Sequence, residues 1–527
     1  MIRVREIRLS ILNDSEDALI NKLTKILNVN KEDIISYEID KRSIDSRDKN
    51  NILYVYNLDV NVKNEDTVLE KVDNKYVSKV SETKYEFEVT GNEKLETRPV
   101  IVGAGPAGLT LGYILSKYGF KPIIIEKGKR VEDRKKDVYK FWEEDILDVN
   151  SNVQFGEGGA GTFSDGKLNT LVKDKLGRNK YVFDLLVSMG APKEIVYDSK
   201  PHVGTDNLEK VVINLRNEII NNGGEFLYST SLENITVDNN KLTKIITSNG
   251  EIETNYLFLC VGNSARDTFK MLYKNGVNMK TKPFAVGVRI MHDREYIDKI
   301  NHGKYFDKLP ASTYKLTYNN DERSVYSFCM CPGGYVVNAS SEKEKLVVNG
   351  MSNYLRDSKS SNSAIVVSVN ENDYGHDLFD GVNFQRELEN KAYNLCDGKI
   401  PVQRYIDFKN NKVSSDIGTV TPETKGKIAF ANVRSIFPDF IANNLIEGID
   451  SFSGQIKDFN MDDALIFGVE TRTSSPVTIL RDELCESNIK GIYPVGEGAG
   501  YSGGITTSMI DALKVAEKFT SIYKGDK

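Results

Sequence analysis

Three glycines, Gly103, Gly105 and Gly108, stand in PVIVGAGPAGLTLGYILSKYGFKPIIIEK between an apolar run and an amphipathic one. That spacing suits a bound pyrophosphate. Gly103 permits a tight turn, Gly105 lets the backbone approach the phosphates, and Gly108 lets helix and strand pack closely. Pro106 and Ala107 open the expected helix, whose first N–H groups have no partner inside it and so can face an anion. Glu126, followed by Lys127, ends the next apolar run 23 residues beyond Gly103, where a carboxylate accepts hydrogen bonds from an adenosine ribose.

A G-x-G-x-x-G motif does not by itself separate NAD from FAD, so the second glycine motif, GIYPVGEGAGYSGGITTSMIDALKVAEKF, decides. The ribityl and flavin half of FAD needs another strand end, an acidic group for the ribityl hydroxyls and a helix start facing the ring. Glu497, then Gly503, Gly504 and Ile505, supply these parts. The following helix puts Met509, Ala512, Leu513, Ala516 and Phe519 on one apolar face, and its positive end favours negative charge on a reduced flavin. A third cluster, QFGEGGAGTFSDGKL, contributes Gly158, Gly159, Gly161 and Thr162, and is expected beside the isoalloxazine. Gly262, in VGNSARDTF, marks the strand-to-loop return of the nucleotide domain. Arg134, with Arg130 before it, is a candidate partner for the pyrophosphate on a face that otherwise reads as solvated.

Candidates for chemistry beyond the cofactor are few. His202 in PHVGTDNL titrates near neutrality and is a candidate proton donor, against the commoner structural role of a lone histidine. Arg289 and Arg472 are candidate clamps for a substrate carboxylate or ordinary ion-paired arginines. Cys329 and Cys331, in SVYSFCMCPGGYVVNAS, form the one close cysteine pair. Two-residue spacing on a strand puts both sulfurs on one face, with Cys331 the more exposed at the turn, so a dithiol relay is conceivable. Packing as small hydrophobes is favoured, because a Cys-x-Cys disulfide needs unfavourable geometry. No metal is expected, since no Cys-x-x-Cys is present.

These residues must be held by elements that 527 residues can supply as two to four domains. Strand, helix and two further strands over residues 2–62 read as a small α+β module. Pro99 then opens a β, glycine turn, helix, β pattern. The expected fold is α/β: a discontinuous Rossmann-type FAD-binding domain at 96–281 and 451–527, an inserted α+β substrate or cap domain at 282–450, and the N-terminal module at 1–95. Net charge is −6, and the residues before Pro99 carry 17 Lys+Arg against 20 Asp+Glu, so nucleic acid is a poor partner. No leader or uninterrupted apolar span is seen, and five scattered cysteines form no disulfide framework. A cytoplasmic protein without a membrane span is expected.

GAGPAGL, GEGGAGTFSDGKL, FCMCPGGYVVNAS, RTSSPV and GEGAGYSGG together resemble the bacterial FAD-dependent dehydrogenase family that carries an FAD-dependent C-terminal domain, with a more distant likeness to glutathione-reductase-like flavoproteins. The resemblance spans almost the whole chain and implies FAD but no substrate. It assigns Gly103, Gly105, Gly108 and Glu126 to the ADP half of the cofactor and Gly496 and Glu497 to the ribityl segment, where Glu497 replaces the common Asp. No second G-x-G-x-x-G lies between Lys282 and Asp450, so NADH or NADPH is expected only as a transient donor. The expected function is an oxidoreductase moving hydride or electrons through flavin N5 to a small-molecule acceptor. A flavin-dependent RNA modifier and an interaction protein with structural FAD are the alternatives.

Overall fold

The computed structural model describes residues 1–80, 84–170, 172 and 174–526. At its centre lie five short, almost wholly apolar strands paired in parallel, in the order Ile492–Pro494, Leu257–Leu259, Val100–Val102, Ile123–Ile125 and Glu225–Leu227. Runs such as VIV, III and LFL suit strands covered on both faces. Period two then divides their side chains between two cores. Ile101, Ile124, Phe258 and Tyr493 pack under the helices Pro106–Lys117, Thr205–Asn221 and Ile505–Thr520. Val100, Val102, Ile125, Leu257 and Leu259 pack under an antiparallel three-stranded meander over 232–253 and the helix Arg266–Lys274. The apolar face expected of the C-terminal helix, Met509, Ala512, Leu513, Ala516 and Phe519, is buried in the first core.

The chain leaves this domain at the strand Met279–Thr281 and returns beside it at Val477–Ile479, the two being antiparallel partners. Between them lies a seven-stranded sheet whose middle strands, Ser360–Val369, Phe284–Asp293 and Leu465–Glu470, are almost entirely buried. Helices Asp380–Cys396 and Asp439–Phe452 cover it. The expected boundary at 450 therefore falls inside a helix of this unit. Strand Leu465–Glu470 lies between Phe284–Asp293 and Ile400–Arg404, so the inserted unit runs on to about residue 473, as the next paired strand is already back in the first domain.

The N-terminal module is a four-stranded sheet, in the order Ile34–Asp45, Leu53–Val62, Ile2–Ser10, Val77–Lys79, backed by the helix Glu16–Leu27. Ser15 caps that helix by accepting from the Ala18 N–H (3.2 Å), and Leu19, Leu23 and Leu27, four apart, face the sheet. Arg42 docks the module by a bidentate pair with Asp198 (2.8 and 3.1 Å) and by backbone bonds to Tyr197 and Ser199. The polar stretch after it is not a free linker. Phe87 is buried in the nucleotide-domain core, the Tyr85 hydroxyl donates to Glu517 (2.5 Å), and Glu93–Lys94 pairs in parallel with Tyr523–Lys524.

Candidate functional site

A cavity of about 620 Å³ opens where the parallel strands end and the inserted sheet faces them. Ligands of doubly wound sheets sit outside the carboxyl ends of the strands for a geometric reason: loops diverge there and helix N-termini converge. Gly103, Gly105, Pro106 and Ala107 follow the first such end, Glu126 and Lys127 the second, Gly262 the third and Glu497 the fourth, and all of them line the cavity.

The three glycines of the first motif have three different physical reasons. Gly103 has φ +100°, in the left-handed region. A Cβ on Gly108 would lie 1.9 Å from the Gly103 carbonyl oxygen, so this glycine is required by helix–strand packing and does not reach the cavity. A Cβ on Gly105 would meet only the Gly159 Cα, at an ordinary 3.7 Å. The protein itself leaves room for a side chain at 105, and the same holds for Gly262, Gly503 and Gly504, where a Cβ would have nothing within 4 Å. All four border the cavity. Together they form a cradle that side chains would fill.

The Glu126 carboxylate joins three loops. Its Oε2 accepts from the Ala104 N–H and its Oε1 from the Gly128 and Gly156 N–H groups, each at 2.9 Å. A carboxylate has about four lone-pair sites, which leaves capacity for a further donor. Lys127 lies over the Phe155 ring, 4.3 Å from its centroid. Glu497 accepts from Asn263 Nδ2 (2.8 Å), and burial pushes its carboxyl up to about 7 against the opposing pull of Asn263 and Lys282. Gly503, Gly504 and Ile505 bring the start of the C-terminal helix to the same cavity, with no side-chain cap on its first N–H groups.

The third glycine cluster divides. Gly159 and Gly161 line the cavity, whereas Gly158 and Thr162 pack behind it, a Cβ on Gly158 falling 2.1 Å from the Thr162 hydroxyl. Gly496 is likewise behind the wall, its N–H given to Asp511 (2.8 Å). Arg134 departs furthest from its expected role. It is fully buried, does not line the cavity and donates to the carbonyls of Asn152, Val153, Gly156, Glu157 and Gly159 at 2.8–3.2 Å, so its guanidinium is spent on the loop and not turned toward a pyrophosphate. It shapes the loop instead.

His202 does not line the cavity. Its Nε2 bonds to the Tyr354 carbonyl (2.9 Å), its ring stacks on Tyr354, and burial lowers its basicity. Arg472 reaches the wall but is committed to Glu389 (3.0 and 2.8 Å), Ser264 and Ser341. Arg289 is fully buried and paired with Glu470 (2.9 Å). Cys329 and Cys331 both line the cavity, yet a bulge follows Phe328 and Cys329 has φ +43°, so the simple alternation fails. Cys329 is the exposed thiol and Cys331 the buried one, the reverse of the expectation. Burial raises the Cys331 thiol.

Sequence spacing missed the residues that close the site. Asp165 lies in the third glycine cluster and is gripped bidentately by Arg356 (2.9 and 2.5 Å), with Ser352 and Lys167 also against it, which ties that loop to the inserted sheet. Burial alone would raise this carboxyl, but Lys167 and Arg356 hold it well below the usual range. Asn349 and Glu470 form part of the opposite wall. Each comes from a different element, so no local pattern announces them.

Residues 283–473 match the family model described as "FAD-dependent protein, C-terminal domain-like", residues 96–137 match an FAD binding domain, and residues 1–61 match a domain of unknown function. An uncharacterized protein of Clostridium beijerinckii is 45% identical over 524 residues, which is 98% of each chain. Among solved structures, glycerol-3-phosphate dehydrogenase from Bacillus halodurans complexed with FAD aligns at TM-score 0.36 and 9% identity, over 83% of this chain and 67% of that one. Tetracycline destructase Tet(55) aligns at TM-score 0.36 and 12% identity over 81% and 85%, and E. coli quinol fumarate reductase FrdA at 0.35 and 11% over 81% and 70%. Scores this low have no bearing on substrate. The matched C-terminal domain, the FAD binding domain and the full-length Clostridium relative place the chain in the family of FAD-dependent proteins carrying this C-terminal domain, and FAD is its cofactor.

Proposed function

We propose that the chain is an oxidoreductase that moves two electrons through FAD between a donor and a small-molecule acceptor held against the inserted sheet. The observation that carries this reading is the cradle at Gly105, Gly262, Gly503 and Gly504, glycines that the packing of the protein does not require, along a cavity with two helix starts in its wall. In this reading the start of the helix Pro106–Lys117 takes the pyrophosphate, Glu126 the adenosine ribose and Glu497 the ribityl hydroxyls. Gly159 and Gly161 keep side chains away from the cofactor, and the start of Ile505–Thr520 stabilises negative charge at the ring. When bound, FAD supplies the hydride and electron chemistry, and the protein binds, orients and tunes it.

Purified protein should be yellow and release FAD on denaturation, and anaerobic mixing with NADH and with NADPH, followed by flavin absorbance, should identify a donor. Release of FMN in place of FAD would remove the assignment of Glu126. A flavin that cannot be reduced and reoxidised by any added couple would make the cofactor structural.

A further inference from the structure

Arg289, on Phe284–Asp293, lies at the middle of the inserted sheet with its guanidinium spread over four acceptors. Nη1 donates to Asn362 Oδ1 (2.8 Å) and the Cys329 carbonyl (3.2 Å). Nε and Nη2 project along one edge, the edge that elsewhere in this chain holds a single carboxylate side-on, as Arg356 holds Asp165. In Arg289 that edge is divided. Nε goes to Glu470 Oε2 (2.9 Å) and Nη2 to Asn349 Oδ1 (3.1 Å). Asn349 Oδ1 also accepts the Gly350 N–H (2.9 Å), so its amide orientation is held from two sides.

The division leaves two polar atoms over. Among the described residues, Glu470 Oε1 accepts no hydrogen bond and Asn349 Nδ2 gives none, and both residues line the cavity. One guanidinium edge thus holds a carboxyl and an amide, each with a polar atom to spare, on residues that line the same cavity as the cofactor cradle. An acceptor and a donor so placed fit the two ends of a carbonyl/hydroxyl couple: the amide holds the oxygen and the carboxyl exchanges its proton.

We propose that Glu470 is the catalytic acid–base of this enzyme, that Asn349 Nδ2 binds the substrate oxygen, that Arg289 is the positioning residue for both, and that the substrate is a carbonyl/hydroxyl compound. This rests on the flavin reading above. In the reducing direction the carbonyl carbon gains a hydride from the reduced flavin and the carbonyl oxygen gains the proton from Glu470 Oε1, which becomes carboxylate. In the oxidising direction the hydroxyl proton passes to Glu470 Oε1 as the carbon-bound hydrogen leaves with its electron pair for the flavin and the C=O bond forms. Burial raises the Glu470 carboxyl, and Arg289 opposes that rise without cancelling it. Other titratable groups lining the same cavity include Lys167 and Asp165 from the glycine loop, Glu497, and the thiols of Cys329 and Cys331, of which burial raises Cys331.

The test uses holoenzyme reduced with one equivalent of dithionite and mixed anaerobically with menadione, whose reduction to the hydroquinone takes two electrons and two protons at oxygen and so reads the proton delivery, or with ferricyanide, which takes one electron and no proton. Glu470→Gln should slow reoxidation by menadione about 10²-fold or more at pH 7 and leave ferricyanide within about twofold. The wild-type menadione rate should fall as pH rises and Glu470 loses its proton, and the variant should be flat. If Glu470→Gln does not fold, Glu470→Asp, with its oxygens one methylene further back, should show the same selective loss in smaller degree. A second readout needs no flavin: Glu470→Gln should remove a carboxylic-acid band from the infrared spectrum at pH 4.5, the ordinary carboxyl value above which burial raises Glu470, and that band should be distinct from the one removed by Glu497→Gln. Equal menadione rates in wild type and variant, or a loss shared by both acceptors, would overturn the assignment, as would an unchanged infrared spectrum. Wild-type protein without flavin would instead sink the reading it rests on, and the infrared arm would still report on Glu470.

Discussion

Replacing Gly105 by Ala separates what the fold needs from what the cofactor needs. Gly105 has φ −80° and ψ −172°, ordinary extended backbone, and its new Cβ would touch only the Gly159 Cα at 3.7 Å. The cofactor-free protein should therefore unfold within about 1 °C of wild type, a shift worth only tenths of a kcal/mol. The methyl group stands in the cavity at the start of the helix Pro106–Lys117, where it would meet a pyrophosphate seated as proposed. Forcing one extra carbon into a close-packed contact costs ~1–3 kcal/mol, which weakens FAD binding by about 5- to 150-fold. Gly108→Ala is the opposite case. Its Cβ would lie 1.9 Å from the Gly103 oxygen, so backbone must move and the fold itself should lose ~2–3 kcal/mol. Both variants would be followed by thermal unfolding of stripped protein and by calorimetric FAD titration. If Gly105→Ala binds FAD as tightly as wild type, the cofactor does not approach this backbone and the cradle has been misread.

Other perturbations follow from the same contacts. A chain beginning at Glu93 loses Phe87, buried in the nucleotide-domain core, and should be ~1.5–3 kcal/mol less stable than one beginning at Lys84; identical melting temperatures would show that this segment does not hold the domain. Glu497 binds its proton more tightly folded than unfolded. Its stabilising effect in stripped protein is thus full below about pH 4.3 and is lost as pH rises through about 7, roughly 4 kcal/mol in all. Glu497→Gln should flatten that slope in urea titrations across pH 4–8, and a slope unchanged by the variant would show that another group is responsible. Reductive titration of Cys331→Ser should match wild type, because burial raises the Cys331 thiol and keeps it protonated; uptake of an extra equivalent by wild type alone would restore the dithiol relay.

What the sequence revealed and what it hid differ in range. Gly103, Gly105 and Gly108 are legible because turn, ligand approach and helix packing fall within six residues, and the C-terminal helix because 3.6-residue periodicity marks Met509 to Phe519. The strand Leu465–Glu470 was harder to place. Its position between two strands about 180 and 65 residues earlier is a choice of pairing partner, which no local signal encodes. The Cys329 bulge is equally invisible, since alternation predicts a regular strand and only the pairing with Ser360–Val369 exposes the shift. Arg134 shows a third kind of failure. Among Lys135, Lys136 and several acids it looks like one more solvated charge, and its burial depends on a loop twenty residues on that must fold over it.

That loop has a further consequence. Five carbonyl oxygens turned toward one positive centre is the arrangement in which a peptide wraps an alkali-metal ion, and here the ion is carried on a side chain and cannot diffuse away. The loop over 152–159 is then templated by the helix Val131–Glu144 when the domain folds, independently of any ligand concentration. Its conformational entropy is lost once, during folding, so cofactor arrival finds that part of its seat already set. Replacing Arg134 by Met would return this ordering cost to the binding step, and the loss would appear as a less favourable entropy of FAD association.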